Sequence, residues 1–195
     1  MSKANDKAFI EGDKIDLVPL NSDHIKLYVQ WQNHPIVRKY ARNEFPTTIE
    51  MFKKLFEPKG RSIEDNVQFE ILNREDDKAI GLAEINNIHY AYRRANIAVI
   101  IGDLQYWGKG IATEAGKLLL KYGFVELNMY KIKTMIYSPN IGSWKVCEKL
   151  GMEREATLKN NGFIDGEYVN DYCYCIFQHD WTSKYKEDKK KNIRN

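Results

Sequence analysis

The chain has 195 residues, 43% hydrophobic and 12% aromatic, enough apolar material for one substantial core. Lys and Arg total 30 against 27 Asp and Glu, a formal charge of +3, and several of the positive residues lie in the tail Lys184 to Arg194. A nucleic-acid-binding face is not expected, because its basic groups would cluster on a folded surface rather than in a terminal run. The polar start Met1 to Lys7 leads into no long apolar stretch, so neither a signal peptide nor a membrane span is expected, and the expected location is cytoplasmic.

In chain order, Lys14 to Leu20 alternates as a strand should. Asn21 or Ser22 can then cap a helix that runs through Ile25, Leu27, Tyr28 and Trp31. His34-Pro35 reads as a break, and Phe45 to Glu50 as a turn with a Thr cap before a second short helix containing Met51, Phe52, Leu55 and Phe56. Strand-like runs follow at Val67 to Leu72, Ala79 to Ile88 and Ala95 to Ile101, the first two forming a hairpin. From Gly110 to Glu126 the residues Ile111, Ala115, Leu118, Leu119, Tyr122 and Val125 recur at helical spacing, with Glu114, Lys117 and Lys121 on the other side. A strand over Ile132 to Tyr137, a helix from about Asn140 to Leu150 stopped by Gly151, and strands near Met152 to Leu158 and Val169 to Gln178 complete the series.

Cys147, Cys173 and Cys175 are odd in number and read as reduced core thiols. His24, His34, His89 and His179 add no ligands at metal spacing, so no metal site is expected.

The strand Ala95 to Ile101 runs through Gly102-Asp103-Leu104-Gln105-Tyr106 into Trp107-Gly108-Lys109-Gly110 at the mouth of the long helix. Glycines there let main-chain N–H groups approach phosphate oxygens, and a helix N-terminus adds favourable polarity. Taken alone, a G-x-G pair is equally a turn residue and a helix-capping residue. The loop is neither G-x-x-x-x-G-K-[ST] nor G-x-G-x-x-G, since Thr113 stands where the latter has its third glycine, and this argues against nucleotide hydrolysis and dinucleotide redox chemistry.

The stretch Ile100 to Ala115 resembles the coenzyme A loop and helix of the GNAT superfamily. That pattern, Arg or Gln, two residues, Gly, one residue, Gly or Ala, falls on Trp107, Gly108, Lys109, Gly110, Ile111 and Ala112. Trp107 departs from its first position in the manner of the ribosomal-protein N-terminal acetyltransferases. A second stretch, Asn140 to Met152, resembles the family's N-x-x-S/A helix ending in E/R-K-L-G-F. Gly166 to Asp171 and Cys175 to His179 resemble the spermidine N-acetyltransferase branch. The resemblance implies an α/β (α+β) fold: a mixed, mostly antiparallel sheet of six to seven strands flanked by about four helices, with a splayed parallel strand pair. It implies one domain over residues 8–182, with flexible charged ends at 1–7 and 183–195.

The implied activity is transfer of an acetyl group from acetyl-CoA to a primary amine, either a protein N-terminus or a small amine such as a polyamine. Ile100, Ile101, Gly102, Trp107, Gly108, Lys109, Gly110, Ile111, Ala112, Thr113, Asn140, Ser143 and Lys149 are the implied cofactor contacts, although Asn140 alone also reads as a helix cap. The amine must lose a proton before attack. Glu84, the sole charge in the apolar run Ala79 to Ile85, is the first candidate base; it reads equally as an amine-binding group or as a partner of Arg93 or Arg94. His89 reads as a turn residue. Where many family members carry a helix Tyr that protonates the leaving thiolate, Cys147 stands here, also readable as core; Ser143 is the better donor candidate, also readable as a surface or capping hydroxyl. Glu84, Glu44 and the C-terminal resemblance favour a polyamine acceptor, and the missing Tyr favours the alternative. A homodimer is a plausible assembly from the family's habit. A catalytically silent acyl-CoA-binding module of the same fold is the competing reading.

Overall fold

The computed structural model describes residues 8–42, 44–57 and 65–183. The elements are β1 (Ile10–Glu11), β2 (Ile15–Pro19), α1 (Ile25–Asn33), α2 (Pro35–Ala41), α3 (Ile49–Lys53), β3 (Val67–Asn73), β4 (Lys78–His89), β5 (Arg94–Ile101), α4 (Ile111–Val125), β6 (Lys131–Tyr137), α5 (Ile141–Leu150), β7 (Glu153–Ile164) and β8 (Glu167–Phe177). A sixth helix, α6, begins at Gln178 and is described over 178–183. The strands form a mixed, mostly antiparallel sheet with one parallel pair. The expectation of charged flexible ends falls, apart from the helical Ser183, outside the described residues. Among the described residues no helix is long and apolar enough to cross a membrane.

The chain forms two compact units: one comprises residues up to Asn86 with Ile97–Leu119, the other Asn87–Asn96 with residues from Leu120 on. β4, β5 and α4 each contribute residues to both.

In the first unit the strand order is β1-β2-β3-β4-β5, and β2, β3 and β4 are antiparallel neighbours. Ile25, Tyr28 and Trp31, three residues apart, place one face of α1 in a buried cluster with Phe52 and Ala79, as a 3.6-residue period requires. Burying a side chain the size of Ile25 or Phe52 contributes roughly 1.5–3 kcal/mol. This core contains a carboxylate: Glu70, 2% exposed, accepts from the Tyr28 hydroxyl at 2.5 Å and lies 2.6 Å from His24 Nδ1. Burial first, then that hydrogen bond, hold the Tyr28 phenol well above its ordinary range.

In the second unit the order is β5-β6-β8-β7. The parallel register pairs Arg94, Ala95 and Asn96 with Lys131, Ile132 and Lys133, while β6 stays paired to β8 as far as Tyr137↔Asp171.

Four features are fuller than the sequence suggests. Pro35 starts α2 rather than merely ending α1: proline suits the first helical position, where its missing N–H costs nothing, and His34 Nδ1 caps the turn by accepting from Ile36 N. The β7–β8 hairpin extends to Ile164, because Lys159 to Gly162 forms an irregularity within the strand rather than a turn. Asn160 N donates to Asn170 Oδ1, and Asn161 Nδ2 donates to Asp171 Oδ2. β1 and α6 add two further short elements, so the described residues hold eight strands rather than six to seven and six helices rather than about four.

Candidate active site

The segment leaving β5 is fastened at every step. Gly102 N and Asp103 N both donate to Ile80 O. Gly102 is required there by close approach, since a Cβ would lie 2.1 Å from Trp31 Cγ. Leu104–Tyr106 forms a 3-10 turn capped by Asp103, whose Oδ1 accepts from Gln105 N while Oδ2 pairs with Lys78 Nζ at 2.6 Å. The Tyr106 hydroxyl donates to Asp76 Oδ2 at 2.6 Å. Trp107 uses its main-chain N–H on Leu104 O and its indole N–H on Ile101 O.

Beyond Trp107 the fastening stops. Gly108 and Gly110 have φ of +74° and +84°, left-handed values that suit glycine, and a Cβ built on either meets nothing within 4 Å. The first helical bond of α4 runs from Glu114 N to Gly110 O. The N–H groups of Ile111, Ala112 and Thr113 are thus outside the helical ladder, and Gly110, at the cap position, has no side chain to satisfy them. Glu114 turns away: its Oε1 accepts from Asp13 N, Lys14 N and Ile15 N, pinning the β1–β2 loop. What remains is an open arc of main-chain donors at a helix N-terminus, with the exposed Lys109 beside it, and that arrangement fits a diphosphate.

α5 starts differently. Asn140 Oδ1 accepts from Ser143 N at 3.3 Å, so its side chain caps the helix, while no partner of its Nδ2 is recorded among the described residues. Ser143 is half-buried near that end and Lys149 is exposed in the last turn.

The sequence pattern of acetyltransferase (GNAT) domains matches residues 14–153. The chain belongs to the GNAT acetyltransferase family. It is an N-acetyltransferase that draws on acetyl-CoA and delivers the acetyl group to an amine. A spermidine N(1)-acetyltransferase of Escherichia coli K12 is 33% identical over 172 residues, covering 88% of this chain and 90% of that one. An uncharacterized N-acetyltransferase of Bacillus licheniformis is 25% identical, covering 87% and 96%. Among solved structures, a Vibrio cholerae spermidine N-acetyltransferase in complex with CoA and spermine superposes with a TM-score of 0.79 at 24% identity, covering 88% of this chain and 99% of that one. It supports the fold.

In this GNAT acetyltransferase Glu84 is held not by arginine but by amides: Gln68 Nε2 donates to Oε2 at 2.9 Å and Asn86 Nδ2 to Oε1 at 2.5 Å. Arg93 instead binds Asn128 and Gln178, and Arg94 lies over the Tyr92 ring. Gly81, which abuts Ile100 O, is three residues from Glu84, so the carboxylate stands ~10 Å along β4 from the start of the loop. Glu84 shares the strand face of Leu82, which packs on the α1 cluster. His89, expected in a turn, is instead the last residue of β4; its Nδ1 accepts from Tyr92 N in the turn that follows, and its ring stacks on that of Tyr92.

Cys147 is 4% exposed, and burial pushes its thiol up to about 12. Cys173 and Cys175 are also free thiols. Glu44 is exposed. A cleft of about 320 Å³ in the first unit is lined by Leu27, Gln30, Trp31 and His34 together with Lys78, Ala79 and Gly102 to Leu104. Sequence reasoning missed Asp76, Lys78 and Tyr106. For Asp76 and Lys78 the early signal is the density of charge from Asn73 to Lys78, which carries no information about the partner it meets, and Tyr106 carries none.

Proposed function

We propose that the chain acetylates a polyamine, with the donor's diphosphate held by the main chain of Gly108 to Thr113. The observation that carries the cofactor assignment is the pair of left-handed glycines facing open space at an uncapped helix start. The polyamine assignment draws on the E. coli relative, on the half-buried Glu84 and on the residues Gly166 to Asp171 and Cys175 to His179. Residues 8–182 are read as one acetyltransferase domain, and a homodimer as its assembly.

Acetyl-CoA, when bound, supplies an acyl group already activated as a thioester. Gly108 to Thr113 would donate main-chain N–H bonds to its phosphates, with Ile100, Ile101 and Gly102 forming the approach and Lys149 a peripheral positive charge. Asn140 would offer its free Nδ2 while Oδ1 holds the helix. A main-chain N–H of β5 beyond Asn96, outside the parallel register, would donate to the acyl carbonyl, where negative charge grows during attack.

Glu84 would take the proton that a protonated amine must lose, its two oxygens fixed by Gln68 and Asn86 so that the remaining lone pairs are oriented. The proton for the departing thiolate is assigned to Ser143, which is half-buried. Cys147 is set aside, because a thiol raised to about 12 by burial gives up its proton poorly.

Turnover of acetyl-CoA with an amine panel, followed by a thiol reagent, tests this. Release of coenzyme A with spermidine or spermine well above that with N-terminal peptides is expected. Turnover confined to peptides would overturn the acceptor assignment, and binding without turnover would favour the silent module.

A further inference from the structure

The loop divides at Trp107 into a fastened stem and an open arc, and the stem's outer anchors come from the β3–β4 turn. Asp76 works with both carboxylate oxygens. Oδ1 accepts from Asn73 Nδ2 and Lys78 N, fixing the turn, while Oδ2 accepts from the Tyr106 hydroxyl. Lys78, the next residue but one, pairs with Asp103 at the foot of the same 3-10 turn. Two ammonium groups lie near the Tyr106 ring, Lys109 at 5.1 Å and Lys78 at 5.7 Å from its centroid. Lys78 has a carboxylate partner; no anionic partner of Lys109 is recorded among the described residues. The Tyr106 hydrogen bond is the first cause of a lowered Asp76 carboxyl, and the same bond raises the Tyr106 phenol.

We propose that Tyr106 is a positioning residue for donor binding: its hydroxyl ties the phosphate loop to Asp76 of the β3–β4 turn, and its ring holds the Lys109 ammonium at the edge of the arc, where a phosphate is the anion that would draw it away. This rests on the reading of Gly108 to Thr113 as the phosphate cradle. Tyr106 touches no reacting atom; it acts through the loop that follows it. Its effect is therefore confined to the phosphorylated end of the donor and absent from the chemical step and the amine.

The test compares acetyl-CoA with S-acetylpantetheine, a thioester donor that has no diphosphate, using the full chain and spermidine. Tyr106→Phe, which keeps the ring, is expected to raise KM for acetyl-CoA about five-fold, the size of one partly exposed hydrogen bond. Tyr106→Leu, which also removes the seat of Lys109, should raise it further. In both, kcat, KM for spermidine and kcat/KM for S-acetylpantetheine stay at wild-type values. Asp76→Ala combined with Tyr106→Phe should be no worse than Asp76→Ala alone, since the two residues share one contact. Equal losses with both donors, which general damage to the fold would produce, overturn the proposal, as does an unchanged KM for acetyl-CoA. A wild-type enzyme that uses both donors equally well would instead break the cradle reading, and the proposal with it.

Discussion

Two helices of this chain begin next to a glycine or an asparagine, and they begin in opposite ways. α5 is closed by its own sequence: Asn140 sends Oδ1 back to Ser143 N. α4 is not, because Gly110 at the equivalent place has no side chain and the nearest carboxylate, Glu114, is committed to the β1–β2 loop. A helix start ordinarily satisfies its orphan N–H groups from within. Where the chain supports the preceding residues with Asp76, Lys78 and Ile80 and then leaves the N–H groups open, the missing acceptor is to be sought in a ligand. On the function proposed above, the capped start would contribute side chains to chemistry and the uncapped start main chain to binding.

That contrast breaks most visibly if the open start is filled. Gly110→Val places a β-branched side chain at a φ of +84° and projects it over the arc. Losing two or three charge-assisted hydrogen bonds should raise KM for acetyl-CoA about 100- to 1000-fold, while kcat at saturation and the far-UV spectrum change little. An unaltered KM would show that the open arc is not where the donor binds. At the capped start the expected loss is chemical: Ser143→Ala should lower kcat about 100-fold, the low end of a general-acid contribution, with KM for acetyl-CoA nearly constant. If kcat holds, Ser143 is not the source of the proton for the leaving thiolate.

Asn140→Ala sharpens the contrast from the stability side. Removing a side-chain cap costs about 1 kcal/mol, a fall in melting temperature of about 2–4 °C for a chain of this size. Gly110→Ala removes no cap; the strain of a Cβ in the left-handed region is its only cost. A thermal scan of the two variants with and without acetyl-CoA separates the roles: the ligand should restore less stability to Gly110→Ala than to Asn140→Ala. Equal ligand-induced shifts would count against the division.

The open start was legible because glycines at fixed spacing after an apolar strand are a local signal, and local signals survive in one sequence. The stem beneath it was not. Tyr106 and Asp76 are 30 positions apart, and nothing in the alternation of either segment announces the other. Glu114 reads as one more charge on the outer face of α4, yet it collects three N–H groups from residues about 100 positions earlier. Glu70 and Asp171, 2% and 0% exposed, stand in strands where a carboxylate reads as surface, and partners such as Tyr28 and His24 for Glu70 and Asn161 for Asp171 make burial tolerable. Pro35 carried a usable signal, since proline one residue after a capping side chain opens helices as readily as it ends them.

The smallest effect is expected inside α5, at Cys147. Its thiol is raised from 9.0 to about 12, chiefly by burial and then by Glu148, so the folded state holds the proton more tightly than the unfolded one. A raised value contributes stability that is complete below about pH 9 and is lost as the pH climbs toward the folded value, at up to about 1.4 kcal/mol for each pH unit. Cys175, Tyr122 and Tyr174 are raised as well and shape the same alkaline limb, so the diagnostic quantity is the difference between wild type and Cys147→Ala. That difference should shrink between pH 9 and 11, while kcat at pH 8 stays within about two-fold, as expected for a side chain that packs rather than reacts. A kcat that collapses in Cys147→Ala while Ser143→Ala remains active would reverse the assignment. It would make the inner face of α5, rather than its capped end, the source of the proton.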